Sequence, residues 1–248
     1  MTTFTLEDKK IIVTGAGAGI GKAIVEKCLN EGATVIACDI NQESLDNLNR
    51  KSKFPTNLYT YTMDVSHYDE VQKFFEYIQN EHPDSNSLIN NAGIYLAKNI
   101  LDYEISEIDR VLNINIKGFV YFSQQFAKIL FRNKTYGSIV NMSSVSGMEG
   151  SSDAIYGLSK AAILGLTKSC AMNFAPYIKV NAVAPTMVDT SMMAVIPDWR
   201  KKEYLHHELI NTPVLPEDVA DTVVFLLSEK STHYTGATFD LNNGGYLR

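Results

Sequence analysis

Cysteine is scarce in this 248-residue chain, with three residues at positions 28, 38 and 170, odd in number and scattered. That excludes a disulfide framework and a clustered zinc site, and suits reduced, buried thiols in a cytoplasmic protein. Histidine is nearly as rare, at five. His206 and His207 are adjacent, so they cannot share one helix face, and no third ligand lies at metal spacing; no metal is expected. Long hydrophobic runs are missing. No apolar stretch approaches the ~18 residues of a membrane helix, so no membrane partner is expected. An excess of positive charge is also missing: 22 Lys and Arg stand against 28 Asp and Glu, a formal charge of −6. That balance gives no electrostatic reason to expect nucleic acid or an acidic membrane as the main partner. Met1 to Lys10 carries Glu7, Asp8, Lys9 and Lys10 before only a short apolar run, which is not the order of a secretory signal. There is no linker, no low-complexity tract and no internal repeat.

What is present is an ordinary globular composition, 45% hydrophobic and 20% charged, in a length that one α/β domain spanning residues 1–248 can occupy. Short β-rich runs alternate with longer amphipathic ones. The expected strands are Lys10–Val13, Thr34–Asp39, Leu58–Met63, Ser87–Asn91, Ser138–Met142, Lys179–Val183 and Thr238–Leu241. Between them, Ile20, Ala23, Ile24 and Cys28, and later Val71, Phe74, Phe75 and Ile78, fall on single helix faces. Pro216-Glu217-Asp218 opens another helix, with Pro in its first turn and acids near the positive dipole end. Such alternation predicts an α/β fold with a parallel sheet and helices on both faces. Ligands of such sheets bind beyond the carboxyl ends of the strands.

The first strand end reads Thr14-Gly15-Ala16-Gly17-Ala18-Gly19-Ile20-Gly21 and leads into a helix. Glycines let a ligand approach the backbone, and the helix start offers amides and a positive dipole end to a pyrophosphate. A P-loop is excluded, because Ala16 stands where it needs Gly and Ala23 where it needs Ser or Thr. Strict G-x-G-x-x-G also fails at Ile20; the spacing that fits is T-G-x-x-x-G-x-G. Asp39 ends the second strand, 18 residues after Gly21. A carboxylate there accepts hydrogen bonds from a ribose diol and repels a 2′-phosphate, which favours NAD over NADP. The alternative for Asp39 is a helix cap, although Asn41 is better placed for that.

The third strand ends at Asp64-Val65, the fourth at Asn90-Asn91-Ala92-Gly93, and the fifth at Asn141-Met142-Ser143-Ser144. Tyr156 and Lys160 follow at i,i+4 on one face of a helix read as Tyr156 to Asn173. A phenol has a pKa near 10 and is a poor base at neutral pH. A nearby ammonium favours phenolate, and a serine hydroxyl can hold a substrate oxygen in reach of the phenol. Proton transfer to or from an alcohol needs that set while a nicotinamide carries the hydride.

At these residues the sequence resembles the short-chain dehydrogenase/reductase family, in its compact single-domain branch. The resemblance covers essentially the whole chain. Thr14-Gly15-x-x-x-Gly19-x-Gly21, Asp64-Val65, Asn90 to Gly93, Asn115, the serine pair, Tyr156-x-x-x-Lys160 and Pro185 stand in family order. It implies a Rossmann-type, doubly wound, seven-stranded parallel sheet and an NAD(P)-dependent alcohol/ketone oxidoreductase. It further implies a tetrad: Tyr156 as acid/base, Lys160 on the ribose and lowering the tyrosine pKa, a serine orienting the substrate, and Asn115 anchoring a water relay to Lys160. Asp64 and Val65 would bracket the adenine, Asn91, Ala92 and Gly93 would line the cofactor, and Val188 would meet the carboxamide. Gly15, Gly19, Ile20, Gly21, Asp39, Pro185 and Thr190 complete the expected cofactor contacts. A homotetramer is implied as well, packed through long helices around Ser106–Phe131 and Tyr156–Asn173.

Three departures from the family pattern stand out. Counting thirteen residues back from the tyrosine selects Ser143, whereas the strand followed by Asn-x-Ser-Ser selects Ser144; Ser144 is the choice and Ser143 the alternative. Pro185 is followed by Thr186 rather than Gly. The last strand leads into Asn242-Asn243-Gly244-Gly245, where an Asp-Gly-Gly is common. Thr190 to Pro213 should form a substrate lid over the nicotinamide. Its apolar members Met192, Met193, Val195, Ile196, Trp199, Tyr204 and Leu205 could line a pocket or form the lid's own small core; Arg200, Lys201 and Lys202 read as a solvated face. Met148 and Glu149 should enter the pocket. The expected reaction is NAD-dependent interconversion of a secondary alcohol or polyol and a ketone. The alternatives are a 3-oxoacyl thioester reductase, which Ile94-Tyr95-Leu96-Ala97 argues mildly against because fatty-acid-cycle reductases usually carry a basic–acidic pair there, and a catalytically silent dinucleotide-binding scaffold.

Overall fold

Apolar side chains dominate the strands almost without interruption, as they must where a parallel sheet is covered on both faces. The computed structural model describes residues 5–190, 192, 193, 196 and 198–247, with the side chains of 198–200, 203 and 204 left aside. Seven strands form one parallel sheet in the order β3-β2-β1-β4-β5-β6-β7. They are β1 Lys10–Thr14, β2 Thr34–Asp39, β3 Leu58–Thr62, β4 Ser87–Asn90, β5 Gly137–Met142, β6 Ile178–Pro185 and β7 Thr238–Leu241. This is the Rossmann-type arrangement expected, with strand limits that differ from the sequence reading by one or two residues at most. The shifts have a common cause: strand ends such as Pro185, paired with Leu241, are set by a neighbour in the sheet and not by their own apolar run.

The alternation of side chains along each strand divides the core in two. Ile11, Val13, Val35, Ala37, Ile89, Val140 and Val183 face α1 (Gly19–Asn30), α2 (Gln42–Lys51) and α8 (Pro216–Leu227). Ile12, Ile36, Leu88, Ile139 and Val180 face α3 (Tyr68–Glu81), α5 (Gly118–Asn133) and α6 (Ala154–Phe174). On that second face Phe74, Phe75 and Phe122 meet with ring centroids 5.3–5.6 Å apart. Both layers hold the strand ends rigidly, and those ends carry the expected site.

Two helices differ from expectation. The span read as one helix over Ser106–Phe131 is α4 (Ile105–Leu112) and α5, joined by a π turn at Asn113–Lys117. Such turns insert one extra residue per turn and often mark functional positions; this one contains Asn115. Helix α6 starts two residues before Tyr156, because the buried Asp153 carboxylate caps it by accepting the Tyr156 amide at 3.0 Å. Helix α7 (Asp198–His207) lies within the expected lid. No helix among the described residues is long and apolar enough to cross a membrane.

Candidate active site

The strand order reverses between β1 and β4, and the ends of these two strands are stitched together. The Thr14 hydroxyl donates to the Ile89 carbonyl at 3.3 Å and accepts the amides of Asn91 at 3.0 Å and Ala92 at 3.1 Å. The Asn91 side-chain amide returns to the carbonyls of Thr14 and Gly15 at 3.0 and 3.1 Å. The glycine loop is packed to the limit here. A Cβ on Gly21 would lie 2.0 Å from the Gly15 carbonyl oxygen, and Gly15 itself has φ +64° with Ala92 against it. Ala18 caps α1 without a side chain that could take the first amides, which leaves them to an anion. The bare backbone and the open helix start fit a dinucleotide's pyrophosphate.

Asp39 lies at the far end of the same cleft. One carboxylate oxygen accepts the Gly17 amide at 2.8 Å and the other the Asn41 amide at 2.9 Å. Asp39 therefore ties the glycine loop to the end of β2 while lining the cleft. The α2 cap is supplied by Asn41, which accepts the Ser44 amide at 2.9 Å.

The cleft has a volume of about 300 Å³ and runs from the glycine loop to the end of β5 and the face of α6. Gly15, Gly19, Ile20, Gly21, Asp39, Asn91, Ala92, Gly93, Ser143, Ser144, Tyr156, Lys160, Pro185, Val188 and Thr190 all line it. Three of the expected catalytic and cofactor residues do not. Asp64 and Val65 lie beyond the lining, the Asp64 carboxylate accepting both the amide and the hydroxyl of Ser66 at 2.8 and 2.7 Å. Asn115 is buried behind the wall, where its amide bridges the Ile94 backbone and the Ser159 hydroxyl. Only Gly93 lies between it and Lys160: a Cβ there would sit 3.4 Å from the Asn115 oxygen and 3.7 Å from the Lys160 ammonium.

Lys160 is buried along α6, and its ammonium donates to the Met142 carbonyl at the end of β5 at 2.9 Å. Burial pushes its pKa down to about 8. The ammonium lies 5.6 Å from the centre of the Tyr156 ring, whose edge packs against Tyr95 with centroids 4.8 Å apart. The two serines are in different circumstances. Ser143 spends its proton on the Lys160 carbonyl at 2.8 Å. Ser144 accepts the Ser146 amide at 3.2 Å and reaches the Pro185 carbonyl only at 3.5 Å, so its hydroxyl is the easier one to redirect toward a substrate oxygen.

Met148 and Glu149, expected in the pocket, do not line it. The turn at Val145–Gly147 takes the amides of both residues back to the Val145 carbonyl and carries them outward; Val145, Ser146 and Ser151 face the cleft instead. From the lid, Met192, Met193 and Ile196 line the cleft, so these apolar residues are pocket wall. Val195 and the side chains of Trp199 and Tyr204 lie outside the described residues. The sequence reading missed Tyr95 as a partner of Tyr156, and missed Asp153. The latter is fully buried and accepts the Tyr103 hydroxyl at 2.8 and 2.9 Å besides capping α6. An Asp three residues before Tyr156 is a capping signal that could have found it. Among the described residues, no group of three or more His, Cys, Asp or Glu is placed to hold a metal.

A family model described as enoyl-(acyl carrier protein) reductase matches residues 15–246. The chain is 34% identical to the 3-oxoacyl-(acyl-carrier-protein) reductase FabG of Thermotoga maritima over 242 residues, covering 96% of this chain and 98% of the relative. Among solved structures it is similar to a Brucella melitensis protein described as short-chain dehydrogenase/reductase SDR:Glucose/ribitol dehydrogenase, at TM-score 0.93 and 27% identity with all of both chains covered. It is also similar to the aldohexose dehydrogenase of Thermoplasma acidophilum, at TM-score 0.86 and 31% identity, with 98% of this chain and 96% of the other covered.

The depressed Lys160 pKa has a consequence for stability. The unfolded chain holds this proton up to about pH 10.5, whereas the folded one releases it near 8. Below pH 8 the buried ammonium costs stability, and the cost fades as pH rises from 8 to 10.5. The unfolding free energy of the unmodified protein should therefore rise relative to Lys160→Met by about 3 kcal/mol over that window. Paired urea titrations at pH 7.5 and 10.5 measure it; parallel behaviour of the two proteins would overturn the assignment.

Proposed function

The chain belongs to the short-chain dehydrogenase/reductase family and is an NAD(P)-dependent oxidoreductase, and from that premise we propose that it interconverts a secondary alcohol and a ketone with NAD(H). The observation that carries the reading is the single continuous cleft, with the glycine loop and Asp39 at one end and Ser144, Tyr156 and Lys160 at the other. The reading takes the chain as one catalytic domain with a lid at about residues 190–213, working in the cytoplasm.

The nicotinamide, when bound, gives or takes the hydride. In the reducing direction the Ser144 hydroxyl donates to the ketone oxygen and holds it in reach of Tyr156. The Tyr156 phenol gives that oxygen its proton, and takes it back in the oxidising direction. Lys160, charged below its pKa of about 8, favours the phenolate left behind. Asn115, through the Ile94 backbone and Ser159, fixes the wall around Lys160. Asp39 would accept from the ribose hydroxyls, and Pro185, Val188 and Thr190, which line the same cleft, would hold the nicotinamide end. Asp64 and Val65 are assigned to the adenine by the family resemblance.

The substrate end is walled by Tyr95, Val145, Met187, Met192, Met193 and Ile196, together with Ser146, Ser151 and Thr186. The apolar members suit the flanks of a ketone, and the polar ones offer partners to a substrate hydroxyl. A second reading, reduction of a 3-oxoacyl thioester, is favoured by the name of the Thermotoga maritima relative, and such a thioester is itself a ketone with an apolar tail. Turnover of NADH with cyclic ketones, sugars and a short 3-oxoacyl thioester separates the readings.

Three outcomes are expected. Tyr156→Phe should abolish turnover with NADH binding nearly intact, and Ser144→Ala should lower kcat more than Ser143→Ala; retained activity in Tyr156→Phe overturns the acid/base assignment. The second outcome concerns cofactor choice. A 2′-phosphate facing Asp39 within a few ångströms meets repulsion of order several kcal/mol at an effective dielectric of about 20, before screening. NAD should be preferred strongly, and Asp39→Ala with Ile40→Arg should admit NADP, since Ile40 is exposed and free to present a cation. The ratio of kcat/KM for the two cofactors measures this and is insensitive to general loosening of the loop; equal use by the unmodified protein would mean that Asp39 serves local structure only. The third outcome is a homotetramer. Val120 and Phe131 on α5 and Leu158 and Met172 on α6 are exposed apolar groups suited to symmetric packing. Light scattering should give about four times the 27.6 kDa chain mass, and a monomer at micromolar concentration would exclude it.

A further inference from the structure

Glu208 is 7% exposed although it carries a carboxylate, and it directly follows the lid helix α7. One of its oxygens accepts the Thr186 hydroxyl at 2.7 Å, and the other accepts the Asn243 side-chain amide at 2.9 Å. The same Asn243 amide donates to the Thr212 carbonyl at 2.8 Å. The Asn243 carbonyl accepts the backbone amides of Leu209 at 2.8 Å and Ile210 at 3.1 Å. Thr186 is the first residue past β6, is bonded through its amide to Leu241 at 3.0 Å, and lines the cleft beside Met187. Three separate pieces of chain, the exits of β6 and β7 and the base of the lid, thus converge on one buried carboxylate.

The chemistry of the three residues is matched. Glu208 when ionised can only accept, and both partners donate. With glycine at 186 one oxygen would lose its hydroxyl donor. With aspartate at 243, two carboxylates would face each other in a buried space. Thr186 and Asn243, which account for two of the three departures from the family pattern, are the two side chains that bond the Glu208 carboxylate.

We propose that Glu208 is a positioning residue that clamps the base of the lid to the exits of β6 and β7 and so holds the Thr186–Met187 wall of the cleft against substrate. The glycine loop and Asp39, assigned to the other end of the cofactor, take part in none of these hydrogen bonds. The effect on the reaction rests on the function proposed above; the clamp itself does not.

Two measurements keep the two apart. The first is tryptic cleavage of the folded full-length chain at Arg200, Lys201 and Lys202 in the lid, which reports local opening whether or not the protein turns over any substrate. Glu208→Gln presents an amide to the Asn243 amide, and Thr186→Val deletes the hydroxyl at constant shape. Each should speed lid cleavage about tenfold, in line with loss of one hydrogen bond to a charged group. The double variant, which loses both hydrogen bonds, should be cleaved faster than either single one, and Thr186→Ser, which keeps the hydroxyl, should be cleaved at the unmodified rate. The second measurement is steady-state kinetics on a ketone the unmodified protein reduces: KM for the ketone should rise about tenfold in Glu208→Gln and Thr186→Val, with kcat within about twofold and the Kd of NADH, read from its fluorescence, within about threefold. Unchanged cleavage in both single variants, or Thr186→Ser cleaved like Thr186→Val, would overturn the clamp. Faster cleavage with an unchanged KM would overturn the positioning role. If Glu208→Gln does not fold, Thr186→Val against Thr186→Ser decides. No NADH oxidation with any ketone by the unmodified protein would instead count against the proposed function, with the cleavage series still judging the clamp.

Discussion

Thr14 and Asn91 hold together the two strand ends between which the sheet reverses its order, and the rest of the site is arranged around that join. A parallel sheet leaves the amides and carbonyls at its carboxyl edge without ladder partners at the reversal, and each unpaired group there costs free energy unless something satisfies it. Thr14 takes two of the amides of the β4 exit while donating to Ile89, and the Asn91 side chain takes the carbonyls of the β1 exit. The same bonds bring Ala92 against Gly15, leaving no room for a side chain on Gly15 or Gly21. The glycine loop, the cofactor wall at Asn91–Gly93 and the open start of α1 are consequences of one hydrogen-bonded seam.

A second seam joins the residues to which the proposed function assigns the chemistry. Lys160 is held by the carbonyl of Met142 while Ser143 is held by the carbonyl of Lys160, so β5 and α6 are bound to each other by the residues next to Ser144 and Tyr156. Asp153 fixes the start of α6 and joins it to Tyr103, and the π turn places Asn115 between Ile94 and Ser159. A buried ammonium is costly in water-excluding surroundings. It is tolerated because its proton affinity falls and a carbonyl accepts from it. Stability is given up at the position where charge next to a phenol is useful.

The order of strands and helices and the glycine loop were legible in the sequence because they rest on local signals: apolar runs, helical periodicity, and glycines without a Cβ. Tyr156 and Lys160 were legible because i,i+4 spacing puts them on one helix face whatever surrounds it. The choice between Ser143 and Ser144 was not. Both follow the same strand, and what separates them is their partners: the Ser143 hydroxyl donates to the Lys160 carbonyl, 17 residues away, and Ser144 accepts the Ser146 amide. Met148 and Glu149 were assigned to the pocket by proximity in the chain, and a single turn at Val145–Gly147 carried them out of it. Splitting of the helix over Ser106–Phe131 was hidden for a similar reason: a π turn has no pattern of its own in apolar spacing.

The sequence by itself determined the fold class, the strand ends at which the candidate site lies, and the residue types able to move a proton, because these follow from periodicity and from the chemistry of single side chains. Tertiary structure alone decided which of those groups meet. Asp39 turned out to hold Gly17 as well as face the cleft, Asn115 to lie behind the wall, and Thr186, Glu208 and Asn243, spread over 58 positions, to share one buried carboxylate. Hydrogen bonds between distant segments are set by where strands end in space. A linear pattern records which donors and acceptors exist, and only the packed sheet brings a given pair within three ångströms.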